Sequence, residues 1–175
     1  MEPLSQVREA IERVSRHYER IKKAFAELVD SIEAWEREKS QLEERLIARE
    51  EEALSLLSEI SRLRRRINEL RKSLKKNRQA LELADSPREE EALLKTRQEL
   101  LERLAEATKR FEELKKKLEE VRNEEFALED KIRELEDKIA DARSKATIYL
   151  RELKRLAEEV VRRIEAFAQG WRLPL

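Results

Sequence analysis

The middle of the chain reads ADSPREEE over residues 84–91. Ser86 is a favoured helix N-cap, and Pro87 suits the first position of a helix. Glu89 completes the Ser-x-x-Glu pattern, in which the cap and the third helical residue each satisfy a backbone N–H. Because proline disfavours a helical conformation in the residue before it, an incoming helix should end just before Ser86. This stretch therefore predicts the end of one helix and the start of another.

Apolar residues recur on both sides of this stretch at the first and fourth positions of a seven-residue repeat, here called a and d. From Leu4 to Ala84, 21 of the 24 such positions are apolar, and from Leu93 to Phe167, 19 of the 22 are. A sustained spacing of this kind is the seam of a coiled coil. We expect one domain, residues 1–175, with helix one at about 3–84, a turn at about 85–87, helix two at about 87–169 and an apolar tail at 170–175.

The composition supports helices with extensive solvent contact. The 175 residues include 40 basic and 40 acidic ones, 39% are hydrophobic, and there is one glycine. A β-rich domain or an active site built from loops would need more turn residues. Because a short connection joins helices of equal length, we predict an all-α fold, a long antiparallel two-helix coiled-coil hairpin. The alternative is two chains side by side, with Pro87 bending one continuous helix.

Four polar residues in the seam distinguish between two registers of the hairpin. In one register Arg49 faces Glu125 and Asn77 faces Arg97, so the polar residues meet each other. In the other, shifted by seven residues, Arg49 faces Leu118, which leaves buried charges unpaired at a cost of several kcal/mol (about 3–5). We expect the first register, and we predict that Arg49, Glu125, Asn77 and Arg97 set it.

A strongly basic segment precedes the turn. Residues 62–78 contain nine bases and one acid, whereas the facing residues 96–112 contain four of each. The segment is either an ordinary charged helix face or a surface for phosphate backbones or an acidic protein. It contains no aromatic residue, which argues against stacking on single-stranded bases. We call its bases the basic stripe: Arg62, Arg64, Arg65, Arg66, Arg71, Lys72, Lys75, Lys76 and Arg78.

A second apolar surface is predicted where the termini meet. A two-stranded coil needs only its seam, but here the residues at the flanking e position, next after d, become apolar as well. Contiguous apolar patches usually mark an interface. We therefore predict an oligomer or partner interface, with a local four-helix bundle as one form of it. Its residues are Val29, Leu150, Ala157, Ile164, Trp171 and Leu173.

The residues of enzyme sites are missing. There is no cysteine for a thiolate, and Gly170 and His17 are the single residues of their types, which excludes glycine-rich phosphate loops and makes a zinc site improbable. We expect no catalytic residue, no cofactor and no metal. No run is apolar enough to span a membrane, and the charged N-terminus does not resemble a signal peptide.

These patterns favour a non-enzymatic, cytoplasmic structural or scaffold protein, a rigid spacer or adaptor that binds through its ends. The alternative is a nucleic-acid-binding arm that uses the basic stripe. We expect a homo-oligomer or a helical protein partner at the end where the termini meet. At the turn end we expect a polyanion or an acidic protein, and we expect no membrane.

Overall fold

The computed structural model of the chain describes residues 3–171 and residue 174. Helix α1 spans Leu4–Glu82 and helix α2 spans Pro87–Gly170. The two helices pack against each other, and that part of the chain contains no strand. The predicted all-α helical hairpin is confirmed, with α1 ending two residues earlier than about 84.

The turn between the helices is closed by local hydrogen bonds. The Ala84 N–H donates to the Leu81 carbonyl at 3.3 Å, a bond that tightens the last turn of α1 and ends it. The Glu89 N–H donates to Ser86 Oγ at 3.2 Å, and the Asp85 N–H donates to the Glu89 carboxylate at 3.5 Å. The Ser-x-x-Glu cap therefore starts α2 where the sequence places it.

Packing divides the chain into two compact units. Unit 1 joins the residues up to Leu42 with those from Lys131 onward, and unit 2 is the continuous segment Glu43–Asp130. Each unit contains a segment of α1 packed against a segment of α2. That the whole chain forms one domain stays a prediction.

Unit 2 buries the heptad seam most completely around Leu114, whose side chain is 2% exposed. Ala53, Leu56 and Ile60 of α1 form one cluster with Leu114 and Val121 of α2. A neighbouring cluster, nearer the turn, contains Ile67, Leu70 and Ala107. Every member lies at an a or d position, so the core of this unit is the seam itself.

Unit 1 has the same seam and two additional buried residues. Leu156 is the most buried seam residue of this unit, at 2% exposed. Ala10 and Ala168 are also buried although they lie outside a and d. The core of unit 1 therefore includes positions beside the seam, at the end where the sequence predicts a second apolar surface.

Ion pairs along the edges fix how the helices are aligned within each unit. In an antiparallel pair, e positions face e positions, and g positions, next before a, face g positions. Pairs between the helices include Glu36–Arg143 and Lys39–Glu136 in unit 1, and Glu52–Lys117 and Glu59–Arg110 in unit 2. The e pair Glu36–Arg143 and the two g pairs of unit 2 are those of the register in which Arg49 faces Glu125. In the register shifted by a heptad, Glu52 would face Arg110 instead.

Arg49 nevertheless binds other carboxylates than the predicted one. Its guanidinium lies 2.7 Å from Glu52 and 3.5 Å from Glu124, while Glu125 Oε1 is buried without a hydrogen-bond partner. The long arginine side chain reaches from the seam to the edge, where its charge keeps contact with water. The predicted Arg49–Glu125 contact is therefore replaced by contacts with neighbouring acids.

Asn77 is also bound differently from the prediction. The residue is 6% exposed, and its Nδ2 donates to the Leu93 carbonyl at 3.0 Å. Its Oδ1 is buried and has no hydrogen-bond partner, and Arg97 is half-buried. The amide therefore binds the backbone of α2 instead of the predicted side chain. That the four polar residues set the register stays a prediction.

Replacing the N-cap tests the start of α2. Ser86→Ala removes the oxygen that accepts the Glu89 N–H, so the free energy of unfolding should fall by about 1 kcal/mol. Chemical denaturation followed by circular dichroism measures this change. Ser73→Ala, an exposed mid-helix change, is the control and should have little effect. Equal stabilities of the two variants would contradict the capping role.

Replacing the buried amide tests its role in register. Asn77→Leu removes an unsatisfied oxygen and should raise the free energy of unfolding by about 1 kcal/mol. The same change should allow α1 and α2 to pair in the shifted register as well. Disulfide formation reports the register: Arg49→Cys with Glu125→Cys should crosslink in the parent chain, and Arg49→Cys with Leu118→Cys should not.

The crosslink between positions 49 and 118 should appear when Asn77→Leu is added to that pair of cysteine substitutions. Asn68→Leu makes the same chemical change at an exposed position and should leave the crosslinks unaltered. If Asn77→Leu also leaves them unaltered, Asn77 does not set the register.

Candidate functional site

The basic stripe lies on α1 in unit 2, and its nine side chains are all exposed. Within residues 3–171, Arg78 pairs with Glu82 at 3.8 Å, a pair in which both side chains are largely in solvent. The structure pairs none of the other eight with an acid in that range. Most of the stripe's positive charge is therefore available to a partner.

Three members of the stripe occupy successive e positions and lie along one edge of unit 2. They are Arg64, Arg71 and Arg78. The e positions of α2 along this edge include Lys115, Thr108 and Leu101. Since none of these six residues is acidic, this edge lacks the opposite charges that usually pair across a coiled coil. We call Arg64, Arg71, Arg78 and Lys115 the basic edge.

Phe111 connects the two helices at one end of the basic edge. Arg64 Cζ lies 5.8 Å from the centroid of its ring, and Lys115 Nζ lies 5.4 Å from the same centroid. Each contact is a favourable cation–π interaction, but the arrangement holds two like charges at one ring. Lys115 and Phe111 are absent from the sequence-based site, although e-to-e pairing in the favoured register would have indicated Lys115.

Two leucines continue the same edge of α2 toward the turn. Leu94 is 51% exposed and Leu101 is 45% exposed, and both occupy e positions. Thr108 and Ala105, also exposed, lie between Leu101 and the lysine end of the edge. One side of this edge is thus basic and the other is mostly uncharged.

The second apolar surface lies in unit 1. Leu150, Ala157, Ile164 and Trp171 are exposed, and Val29 is half-buried. Leu173 lies outside the described residues. The Trp171 ring packs against Phe167 with centroids 5.6 Å apart. That these residues form an interface stays a prediction.

An open cavity of about 410 Å³ lies beside Trp171. Its lining includes Val7, Phe167 and Arg163. Arg163 Nε is buried without a hydrogen-bond partner and lies 3.6 Å from Glu159 Oε1. The ion pair satisfies this cation in part, so the cavity offers little to attract a separate anion.

A surface charge network surrounds Glu152 in unit 1. Arg155 Nε donates to its carboxylate at 3.0 Å, and His17 Nε2 lies 3.8 Å away. The hydrogen bond from Arg155 lowers the pKa of Glu152, and partial desolvation opposes this shift. Such a network orients charged side chains on two helices, but it has no enclosed pocket for acid–base chemistry.

In residues 3–171 and residue 174, no group of three or more His, Cys, Asp or Glu side chains is arranged to hold a metal ion. Over the same residues, neither helix has a stretch with the length and apolar character of a membrane span.

Comparison with known proteins finds a family match over most of the chain. Residues 6–130 match the family described as CorA-like Mg²⁺ transporter protein. No curated protein and no solved structure matches the chain. The matched segment includes all of unit 2, and with it the turn, the basic stripe and the basic edge.

This match corrects several predictions made from the sequence. The structural or scaffold function, the nucleic-acid-binding alternative and the cytoplasmic location are wrong, because the family is one of Mg²⁺ transporters. The partner prediction is wrong as well, since it excluded a membrane. A heptad seam and charged edges occur in coiled coils of every function, so these patterns fixed the fold and left the function open.

The prediction that the chain is not an enzyme agrees with the match in its broad form. The family consists of transporters and not of classical enzymes. The match extends over well more than half of the 175 residues. The chain therefore belongs to the family of CorA-like Mg²⁺ transporter proteins.

Proposed function

We propose that this chain acts in the transport of Mg²⁺ across a membrane and that it catalyses no chemical reaction. The observation that carries this proposal is the family match over residues 6–130. That match covers the whole of unit 2 and most of α1. The proposal therefore concerns the helical segment whose packing is described above.

Within such a transporter, the described helices act outside the hydrocarbon core of the membrane. Support for this comes from the distribution of charge along α1 and α2. The helices bury one apolar seam against each other, and their remaining faces carry most of the 80 charged residues. Placing each exposed Arg, Lys or Asp in the centre of a bilayer costs about 2.5–3.5 kcal/mol on insertion scales.

Two acidic segments are suited to attracting hydrated Mg²⁺. Residues 33–52 and residues 122–141 each contain eight acids and four bases. Mg²⁺ gives up its water reluctantly and often binds through only one or two carboxylates. A field of exposed carboxylates can raise the local concentration of the hydrated ion without a cage of protein ligands. The proposed contribution of these helices is therefore electrostatic.

Cellular Mg²⁺ uptake tests the proposal. Deleting the coding region in the host should lower Mg²⁺ uptake at low external Mg²⁺, and restoring it should recover uptake. Influx measured with a Mg²⁺-sensitive fluorescent indicator gives the rate. Leu114→Asp in the restored protein should abolish recovery, because a charge would enter the most buried layer of unit 2.

The matched control is Leu54→Asp, which makes the same change at a side chain that is 67% exposed. This variant should restore uptake as well as the parent protein does, at equal protein levels. Potassium influx serves as a second control and should not change. Unaltered Mg²⁺ influx in the deletion strain at low external Mg²⁺ would contradict the proposed function.

A further inference from the structure

We propose that the basic edge, together with Leu94 and Leu101, is a docking surface for a bilayer that contains anionic phospholipids. This inference rests on the proposed function to the extent that it places the chain beside a membrane. It adds the partner, the residues and the side of unit 2 that makes the contact.

The first argument is uncompensated charge. Residues 62–78 carry nine bases and one acid, and in the described range only the exposed Arg78–Glu82 pair reduces this excess. Clusters of this size next to a membrane are attracted to the negative surface potential of anionic lipids. The number and the sign of these charges are therefore sufficient for binding to anionic lipids.

The second argument is the pair of cations at Phe111. Arg64 and Lys115 approach the same ring from opposite helices, at 5.8 Å and 5.4 Å from its centroid. Charges facing across an edge of a coiled coil are usually opposite, and like charges destabilise it. Both cations are exposed, so their like charges can attract an anionic group from outside the chain.

The third argument separates a bilayer from other anionic partners. Leu94 and Leu101 are half exposed on the edge that carries Arg71 and Arg78. A phosphate backbone in water offers no apolar region for these side chains. A bilayer offers phosphate groups and, just beneath them, hydrocarbon, which is the combination that basic and apolar residues together recognise. The composition of the edge thus favours a lipid surface.

Vesicle sedimentation with the full chain tests the inference. The parent chain should bind vesicles of phosphatidylcholine with phosphatidylserine far more tightly than vesicles of phosphatidylcholine alone. Raising the salt concentration should weaken this binding, because salt screens exposed charges. Arg64→Glu with Arg71→Glu should weaken it by about 30-fold or more, if each cation contributes the usual amount at a membrane surface.

Matched variants distinguish binding through this edge from the effect of exposed charged or apolar side chains elsewhere on the chain. Arg13→Glu with Arg20→Glu changes the net charge equally at exposed positions of unit 1 and should have a much smaller effect. Leu94→Ser with Leu101→Ser should weaken binding without changing charge. Ile47→Ser with Leu54→Ser alters two other exposed apolar residues and should leave vesicle binding unchanged. Circular dichroism confirms that each variant is still helical.

Several results would overturn the inference. These are equal binding to both kinds of vesicle, equal losses for the edge variants and their controls, or tight binding to double-stranded DNA with no binding to vesicles. The assay is independent of transport, so the two proposals fail separately. Absent vesicle binding with normal Mg²⁺ uptake rejects the docking surface alone, whereas normal vesicle binding with no effect of the deletion rejects the proposed function alone.

Discussion

The apolar seam between α1 and α2 is the interaction on which the other features of the molecule depend. Charged residues make up 46% of the chain, and the apolar side chains that the two helices bury are concentrated in this seam. Helices in proteins gain most of their stability from packing an apolar face against another element. Leu114 and Leu156, each 2% exposed, show how completely the seam removes side chains from water in the two units. Once the seam is formed, the heptad position of a residue determines whether it lies in the core, along an edge or in solvent.

The edges differ from one another because the seam leaves them free to vary. On the g side of unit 2, Glu52 meets Lys117 and Glu59 meets Arg110, which is the usual pairing of opposite charges. On the e side of the same unit, Arg64 and Lys115 share one aromatic ring. The first edge contributes to alignment of the helices. On the second edge, Arg64 contacts α2 through the Phe111 ring instead of through an opposite charge.

Much of the fold could be predicted from the sequence because it depends on local rules. The side chains of Ser86 and Glu89 specify a helix start by accepting hydrogen bonds from backbone N–H groups, and Pro87 does so through its fixed φ. The heptad spacing specifies which faces are buried. The partners of Arg49 and Asn77 could not be predicted in the same way. A long arginine reaches several acids, and a buried amide binds a backbone carbonyl as readily as a side chain, so position in the seam does not determine the contact. The function could not be predicted from these rules, because a heptad seam and charged edges occur in coiled coils of many functions.

The division into two units has a consequence for how the chain folds. Unit 2 is one continuous segment, Glu43–Asp130, with the turn in its middle, so its helices can meet through short-range contacts. Unit 1 joins residues up to Leu42 with those from Lys131 onward, which are far apart along the chain. Closing a long loop costs entropy that shorter loops avoid, and an already folded unit 2 removes most of that cost. During synthesis the N-terminal half of α1 must therefore wait, with its seam exposed, until the last part of α2 has been made.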